Sequence, residues 1–218
     1  DKDISFDHLV STIPLKYLAQ YLSSLDSPEA ISLGQKLKYR DVRIIYVALD
    51  KDYYSDIHWI YLLDSHFKFN RLSEQKNLNK ESSPPGKTVI SLDIACNYDD
   101  EVWNMSNDEL FELALGDLNH LGIEREHVLE HFSLRLKDIY PIYGLDFEDV
   151  FGDLIGFLSK YSNLYSTGRQ GLFLNNDIHD SMEMGILSSK FIMENTDSPQ
   201  WYEHARDYIK KRLEGTVK

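Results

Sequence analysis

The chain alternates between two apolar periods, one of helices and one of strands, and that alternation sets its expected elements. Residues 7–13 (DHLVSTI) read as a short buried strand, and Pro14 opens a helix over PLKYLAQYLSSL. Proline suits the first helical turn because the N–H it lacks would be unpaired there. Ser27 and Pro28 start a second helix, to about Lys36. A β-rich block follows, with strands at 42–49 (VRIIYVAL), 58–64 (HWIYLLD), 67–73 (FKFNRLS) and 87–96 (KTVISLDIAC), all rich in β-branched and aromatic residues. Residues 77–87 (NLNKESSPPGK) have the composition of a surface loop.

Ser106-Asn-Asp-Glu109 has capping-box spacing before a helix that ends at Gly122. Residues 133–143 return to strand, 146–161 are an amphipathic helix, 163–167 a strand and 180–194 a helix. Ser198 caps a last helix, with Pro199 at its first position and Gly215 beyond its end. The order predicts an α+β fold: an antiparallel sheet with flanking helices, inserted into or beside an α/β portion. The expected division is a strand–helix segment over 1–36, the sheet and its helix over 37–145, and a strand–helix portion over 146–218.

Composition narrows the partners. A net charge of −13 over 218 residues repels phosphate backbones, which argues against nucleic acid. The one dense basic group, Lys210-Lys211-Arg212, sits in the expected last turn of the final helix, where cations complement the dipole. Cys96, the single cysteine, lies in an apolar run, as a buried thiol does, and excludes an internal disulfide framework. No stretch approaches the length of a membrane span, and no signal peptide is visible, so a cytoplasmic location is expected and the Asn104-Met-Ser106 sequon carries little weight. The sequence enters at once into an apolar strand without an initiator Met, as the middle of a longer protein would.

Few motifs carry chemistry. His127-x-x-Glu130-His131 matches a zinc-peptidase arrangement, but the space between Gly122 and the next strand leaves little helix to hold it, and no metal site is expected. Gly152-x-x-x-Gly156 in a charged amphipathic helix suggests close packing against a neighbour. Aromatics at 39, 46, 53, 54, 59 and 61 belong to a sheet core or a pocket; Trp59 and Tyr61 alternate with Ile60 and face the other side. Arg71, the cation nearest to them, is either a substrate contact or a solvated edge charge.

The stretch 164–185, LYSTGRQGLFLNNDIHDSMEMG, is the most suggestive. A strand delivers the chain to Gly168, where no side chain obstructs approach to the backbone. Arg169 offers a planar fork for phosphate or carboxylate, and Gly171 allows another sharp turn. Asp180 or Ser181 is the expected N-cap of the following helix, whose amides attract negative charge. The same pattern also describes a plain capped crossover. There is no GxGxxG and no GxxxxGK[ST].

This segment resembles the C-terminal flavin-contacting part of FAD-dependent amine oxidase and protoporphyrinogen oxidase-like proteins, related to UDP-galactopyranose mutase. DHLVSTIPL is similar to the strand and loop that precede their substrate domain, and the block from LKYRDVRIIYVALD to EVWNMSNDELFELALGDLNHLGI to that domain's sheet and helix. The resemblance implies the C-terminal part of a FAD-dependent oxidoreductase, without its N-terminal dinucleotide-binding half. It assigns Thr12, Ile13, Pro14, Gly168, Arg169, Asp180, Ser181 and Met182 to the cofactor; Trp59, Tyr61 and Arg71 are the candidate substrate contacts from the sheet pattern, and catalytic residues stay unassigned. Amides at the start of a helix over 182–185 would face the flavin's N1–C2=O edge. A flavin-linked lysine would be one of Lys68, Lys76 and Lys80. The partners implied are a small-molecule substrate and the missing half of the protein. The fragment alone is expected to be inactive and to bind FAD weakly or not at all. A nucleotide-sugar mutase, with Arg169 gripping the diphosphate, and a non-catalytic acidic binding domain are the alternatives.

Overall fold

The computed structural model describes residues 3–26 and 28–216, so the expected helix start at Ser27 lies outside them. The chain divides into two compact units: residues 40–139 form one, and residues 1–39 with 140–218 the other.

The 40–139 unit is built on a five-stranded antiparallel sheet of order β3-β4-β5-β2-β6. Its strands are β2 (Lys38–Leu49), β3 (Trp59–Tyr61), β4 (Arg71–Glu74), β5 (Thr88–Cys96) and β6 (Val128–Ile142). Every second residue of a strand points to one face. Ile45, Val47, Leu49, Leu72, Ile90 and Leu92 therefore share a face, buried against Leu110, Phe111, Ala114 and Leu118 of helix α4 (Asn107–His120). The capping box read from Ser106 and Glu109 starts α4, and Gly122, at φ +75°, follows its end. A short helix α3 (Glu101–Asn104), capped by Asp100, contains the sequon asparagine and was not expected. The strands expected at 58–64 and 67–73 shrink to three and four residues.

The histidine motif lies on a strand. β6 begins at Val128, so His131 is a strand residue whose ring stacks on Phe111 at 4.0 Å, while His127 ends the preceding turn. Residues four apart on a strand are about 13 Å apart, and cannot chelate one ion. Cys96 is buried, which pushes its thiol up to about 11.

The other unit holds a two-stranded parallel pair, β1 (Leu9–Ser11) and β7 (Leu164–Ser166), in register Leu9↔Leu164 to Ser11↔Ser166. Contrary to expectation β1 is not a buried strand: Leu9 and Val10 are 38% and 48% exposed. Around the pair stand α1 (Leu15–Asp26), α2 (Pro28–Lys36), α5 (Phe147–Leu158), α7 (Ile178–Met193) and α8 (Ser198–Thr216). Trp201 of α8 is fully buried and donates its Nε1–H to the Ser166 carbonyl at 2.9 Å, tying α8 to β7. Helix α8 runs through Gly215, so that glycine is not a stop and Lys210 to Arg212 lie before the last turn. Nor do the α5 glycines mark close packing: a Cβ at Gly156 would meet nothing within 4 Å, and at Gly152 only the Arg206 side chain at 3.9 Å.

Candidate functional site

In a parallel pair both strands point their carboxyl ends the same way, and in α/β folds ligands gather outside those ends. Here the ends release Thr12-Ile13-Pro14 from β1 and Thr167-Gly168 from β7. The Thr167 amide still donates to the Ser11 carbonyl at 2.9 Å, so the chains part only at Thr12 and Gly168. Thr12 and Ile13 are exposed and Pro14 half-buried. Gly168 has φ +75°, and a Cβ there would meet nothing within 4 Å, so the backbone is bare on that side.

Residues Gly168–Gly171 form a one-turn helix, α6, where a turn was expected. Gly171 needs to be glycine because of a close approach: an added Cβ would lie 2.9 Å from the Ser11 carbonyl oxygen and 3.0 Å from Ser166 Oγ. Gly171→Ala is therefore expected to destabilise the unit by about 1–3 kcal/mol, since the Ser11 backbone and the Ser166 side chain must move. A lower thermal midpoint with an unchanged far-ultraviolet spectrum would show it; an unchanged midpoint would refute it.

Arg169 is not a free fork. One terminal nitrogen donates to the Asn176 carbonyl, the other to Asn175 Oδ1 at 2.7 Å, and its guanidinium lies 5.3 Å from the Tyr140 ring. It staples the loop between α6 and α7. Tyr143 adds a second staple, donating to the Phe173 carbonyl at 3.2 Å and accepting from the Asn175 amide at 2.9 Å. Phe173 itself sits at φ +53°, uncommon for a bulky residue.

Helix α7 starts two residues earlier than expected. Asp177 is its N-cap, and Asp180, third in the helix, completes a capping box by accepting the Asp177 amide at 2.9 Å. Neither Asp180 nor Ser181 is the cap. Asp180 is buried and also accepts from Tyr208 Oη at 3.1 Å; Ser181 is half-buried beside Asn176, and Met182 is 63% exposed. Two corrections follow. Amides of 182–185 lie in the second turn, where they are spent on i→i−4 bonds and cannot stabilise a charge. The two carboxylates at the helix start offset its dipole, so a neutral carbonyl or hydroxyl suits this end better than phosphate.

Asn176 was not singled out from the sequence. It is buried, and its Nδ2 has no hydrogen-bond partner. Such a buried donor is costly unless something meets it. The Asp177-x-x-Asp180 spacing beside it was legible; the burial of Asn176 was not.

In the 40–139 unit the three expected substrate contacts share one sheet face, opposite α4. Register pairs Trp59 with Ser73 and Tyr61 with Arg71, and then Arg71 with Asp93. Trp59 and Tyr61 are 53% and 60% exposed. Arg71 is ion-paired to the buried Asp93, and burial raises that carboxyl's pKa although Arg71 pulls it down. Of the three candidate lysines, Lys76 is buried, with Nζ on Asp52 Oδ1 and on three carbonyls; Lys68 and Lys80 are exposed.

Comparison places this arrangement among known folds. The chain overlays 88% of its length on a crystal structure of reduced UDP-galactopyranose mutase, with a TM-score of 0.72, 18% identity and 43% of that chain covered. A putative protoporphyrinogen oxidase from Exiguobacterium sp. 255-15 matches over 87% of the chain, with a TM-score of 0.65, 18% identity and 42% of its length covered. A CLA-producing fatty acid isomerase from P. acnes matches over 85%, with a TM-score of 0.56, 16% identity and 41% covered. The chain thus has the fold of one part of these flavoproteins and spans less than half their length. No protein-family model matches the sequence, and no curated protein matches it.

Proposed function

We propose that this chain supplies the substrate domain and one flavin-facing turn of an FAD-dependent oxidoreductase of the amine oxidase and protoporphyrinogen oxidase type. The observation that carries the proposal is the open end of the β1–β7 pair, where Thr12 and the bare Gly168 turn lie beside each other. The residues fit the group they would hold. Gly168 leaves room for a ring or chain against the backbone, and the unpartnered Nδ2 of Asn176 is a donor for a carbonyl or hydroxyl. When bound, the flavin would supply the hydride chemistry. The chain's own residues would do the rest: Thr12 to Pro14 and Gly168 would contact the cofactor, Arg169 would hold the 175–177 loop in place, and Trp59, Tyr61 and Arg71 would face the substrate.

No GxGxxG is present, so the pyrophosphate would be held by another part of the protein. The 218-residue chain alone is accordingly expected to bind FAD weakly and to turn over nothing. The deciding experiment is the visible spectrum of the full-length parent protein purified without added cofactor. Flavin bands that travel with the protein are the expected result. A colourless protein that also ignores added FAD would sink the proposal and leave an acidic binding domain in its place.

A further inference from the structure

Two histidines that lie far apart in the sequence meet on the surface of the 40–139 unit. The rings of His66 and His120 stand 4.9 Å apart, centroid to centroid, at an interplanar angle of 66°. Two imidazoles on one tetrahedral ion, each ligating nitrogen about 2.0–2.1 Å from it, hold their centroids about 5 Å apart. The rings already have that spacing. Each sits on a fixed backbone. His66 lies in the turn between β3 and β4, where Asp64 Oδ1 accepts the His66 amide at 3.2 Å and the Phe67 amide donates to the Asp64 carbonyl at 3.1 Å. Asp117 of α4 then accepts the Lys68 and Phe69 amides on Oδ2, both at 2.8 Å, so the turn is docked on the helix that carries His120. A site arranged before its ligand arrives loses little affinity to ordering.

The polar contacts favour a cation. His66 Nδ1 donates to Asp64 Oδ1 at 2.8 Å, which leaves the lone pair on Nε2. A carboxylate behind the imidazole is what orients a metal-ligating histidine. Hydrogen bonds from the His66 amide and ring lower the Asp64 pKa and keep that carboxylate charged. Neither His66 Nε2 nor either His120 ring nitrogen has a hydrogen-bond partner among the described residues, and both side chains are exposed. His120 is the last residue of α4, at the negative end of the helix dipole. Residues 40–139 hold 19 acidic against 11 basic side chains, a background that attracts a cation. Among the described residues one group offers three close donors, Asp177, His179 and Asp180, but both of its carboxylates are committed to the α7 capping box.

We infer that His66 and His120 bind one divalent transition metal of the zinc class through two imidazole nitrogens, with water in the remaining positions, and that the ion pins the β3–β4 turn to the end of α4. Imidazole ligands suit zinc, copper and nickel, whereas magnesium and calcium take oxygen ligands.

The test uses the full-length parent protein, cleared of metal with a chelator and titrated by calorimetry with zinc chloride and separately with magnesium chloride. A zinc site that ignores magnesium is expected, weakened at least tenfold in His66→Ala and in His120→Ala. Asp64→Asn, which removes the charge behind the His66 ring, should weaken zinc about tenfold or more. His179→Ala should leave zinc binding unaltered. The four positions are exposed, so the far-ultraviolet spectrum of each variant is expected to match that of the unsubstituted protein. His66→Gln serves if His66→Ala misfolds, and His120→Gln if His120→Ala does. No zinc binding, zinc binding that survives the loss of either His66 or His120, a loss in His179→Ala that matches theirs, or zinc and magnesium bound alike would each overturn the inference.

Discussion

Glu74→Ala is expected to destabilise the 40–139 unit by about 3–5 kcal/mol, the combined cost of several buried donors losing one acceptor. Glu74 is the last residue of β4 and is fully buried, yet its carboxylate is saturated. Oε1 accepts the Tyr54 amide at 2.8 Å and the Thr88 hydroxyl at 2.7 Å; Oε2 accepts the Ser55 amide at 2.9 Å and Asn77 Nδ2 at 3.1 Å. One side chain thus fastens the 50–57 loop, the turn after β4 and the first residue of β5. Alanine leaves three donors without acceptor, since Asn77 Nδ2 keeps the Ser55 and Ile57 carbonyls, and a buried unmet donor costs about 1–3 kcal/mol each before relaxation and water entry reduce the sum. Glu74→Gln keeps one oxygen and turns the other position into a donor facing donors, so about half the loss is expected. Denaturant midpoints of the two variants check this. Equal midpoints for Glu74→Ala and the unsubstituted chain would mean that water replaces the carboxylate without cost.

This network shows where sequence reading stops. The strands of the sheet and the start of α4 were legible because they rest on local signals: β-branched runs, alternation, and a serine three residues before a glutamate. Nothing in SEQK at 73–76 says that both charged residues are inside, because their partners lie between 3 and 24 positions away. The same holds at the candidate site. Gly168 and its neighbours were legible as a strand running into a glycine-rich turn. That Arg169 is spent on its own loop was not, since Asn175 and Asn176 gave no local sign of folding back on it. Lengths failed for a related reason. The pairing of β2 fixes how far a strand runs, and tertiary context overrode the apparent break between Gly122 and Ser133 by starting β6 at Val128.

Arg43 is the second position with a large expected effect. It is fully buried on β2, and among the described residues its cation meets no carboxylate at hydrogen-bond distance. Nη1 donates to the carbonyls of Val102, Trp103 and Met105 at 2.9–3.0 Å, and Nη2 to Ser133 Oγ at 2.6 Å. Those carbonyls lie at or just beyond the end of α3, where the last acceptors of a helix lack intrahelical partners. Arg135 reaches the Trp103 and Met105 carbonyls from β6, so two cations share one helix end. Burial and the like charge of Arg135 both lower the pKa of Arg43. Arg43→Met keeps the apolar stem but takes the donor from the Val102 carbonyl and from Ser133 Oγ and leaves the Trp103 and Met105 carbonyls to Arg135 alone, and a loss of about 2–4 kcal/mol is expected. Arg43→Lys should recover part of it, because one ammonium can serve some of the carbonyls but cannot span the fork's reach to Ser133. If charge repulsion between the two arginines outweighed the helix end they hold, Arg43→Met would instead raise the denaturant midpoint. A double substitution with Arg135→Met separates the two: non-additive losses mean a shared cap, whereas a gain from either single change would identify repulsion as the larger effect.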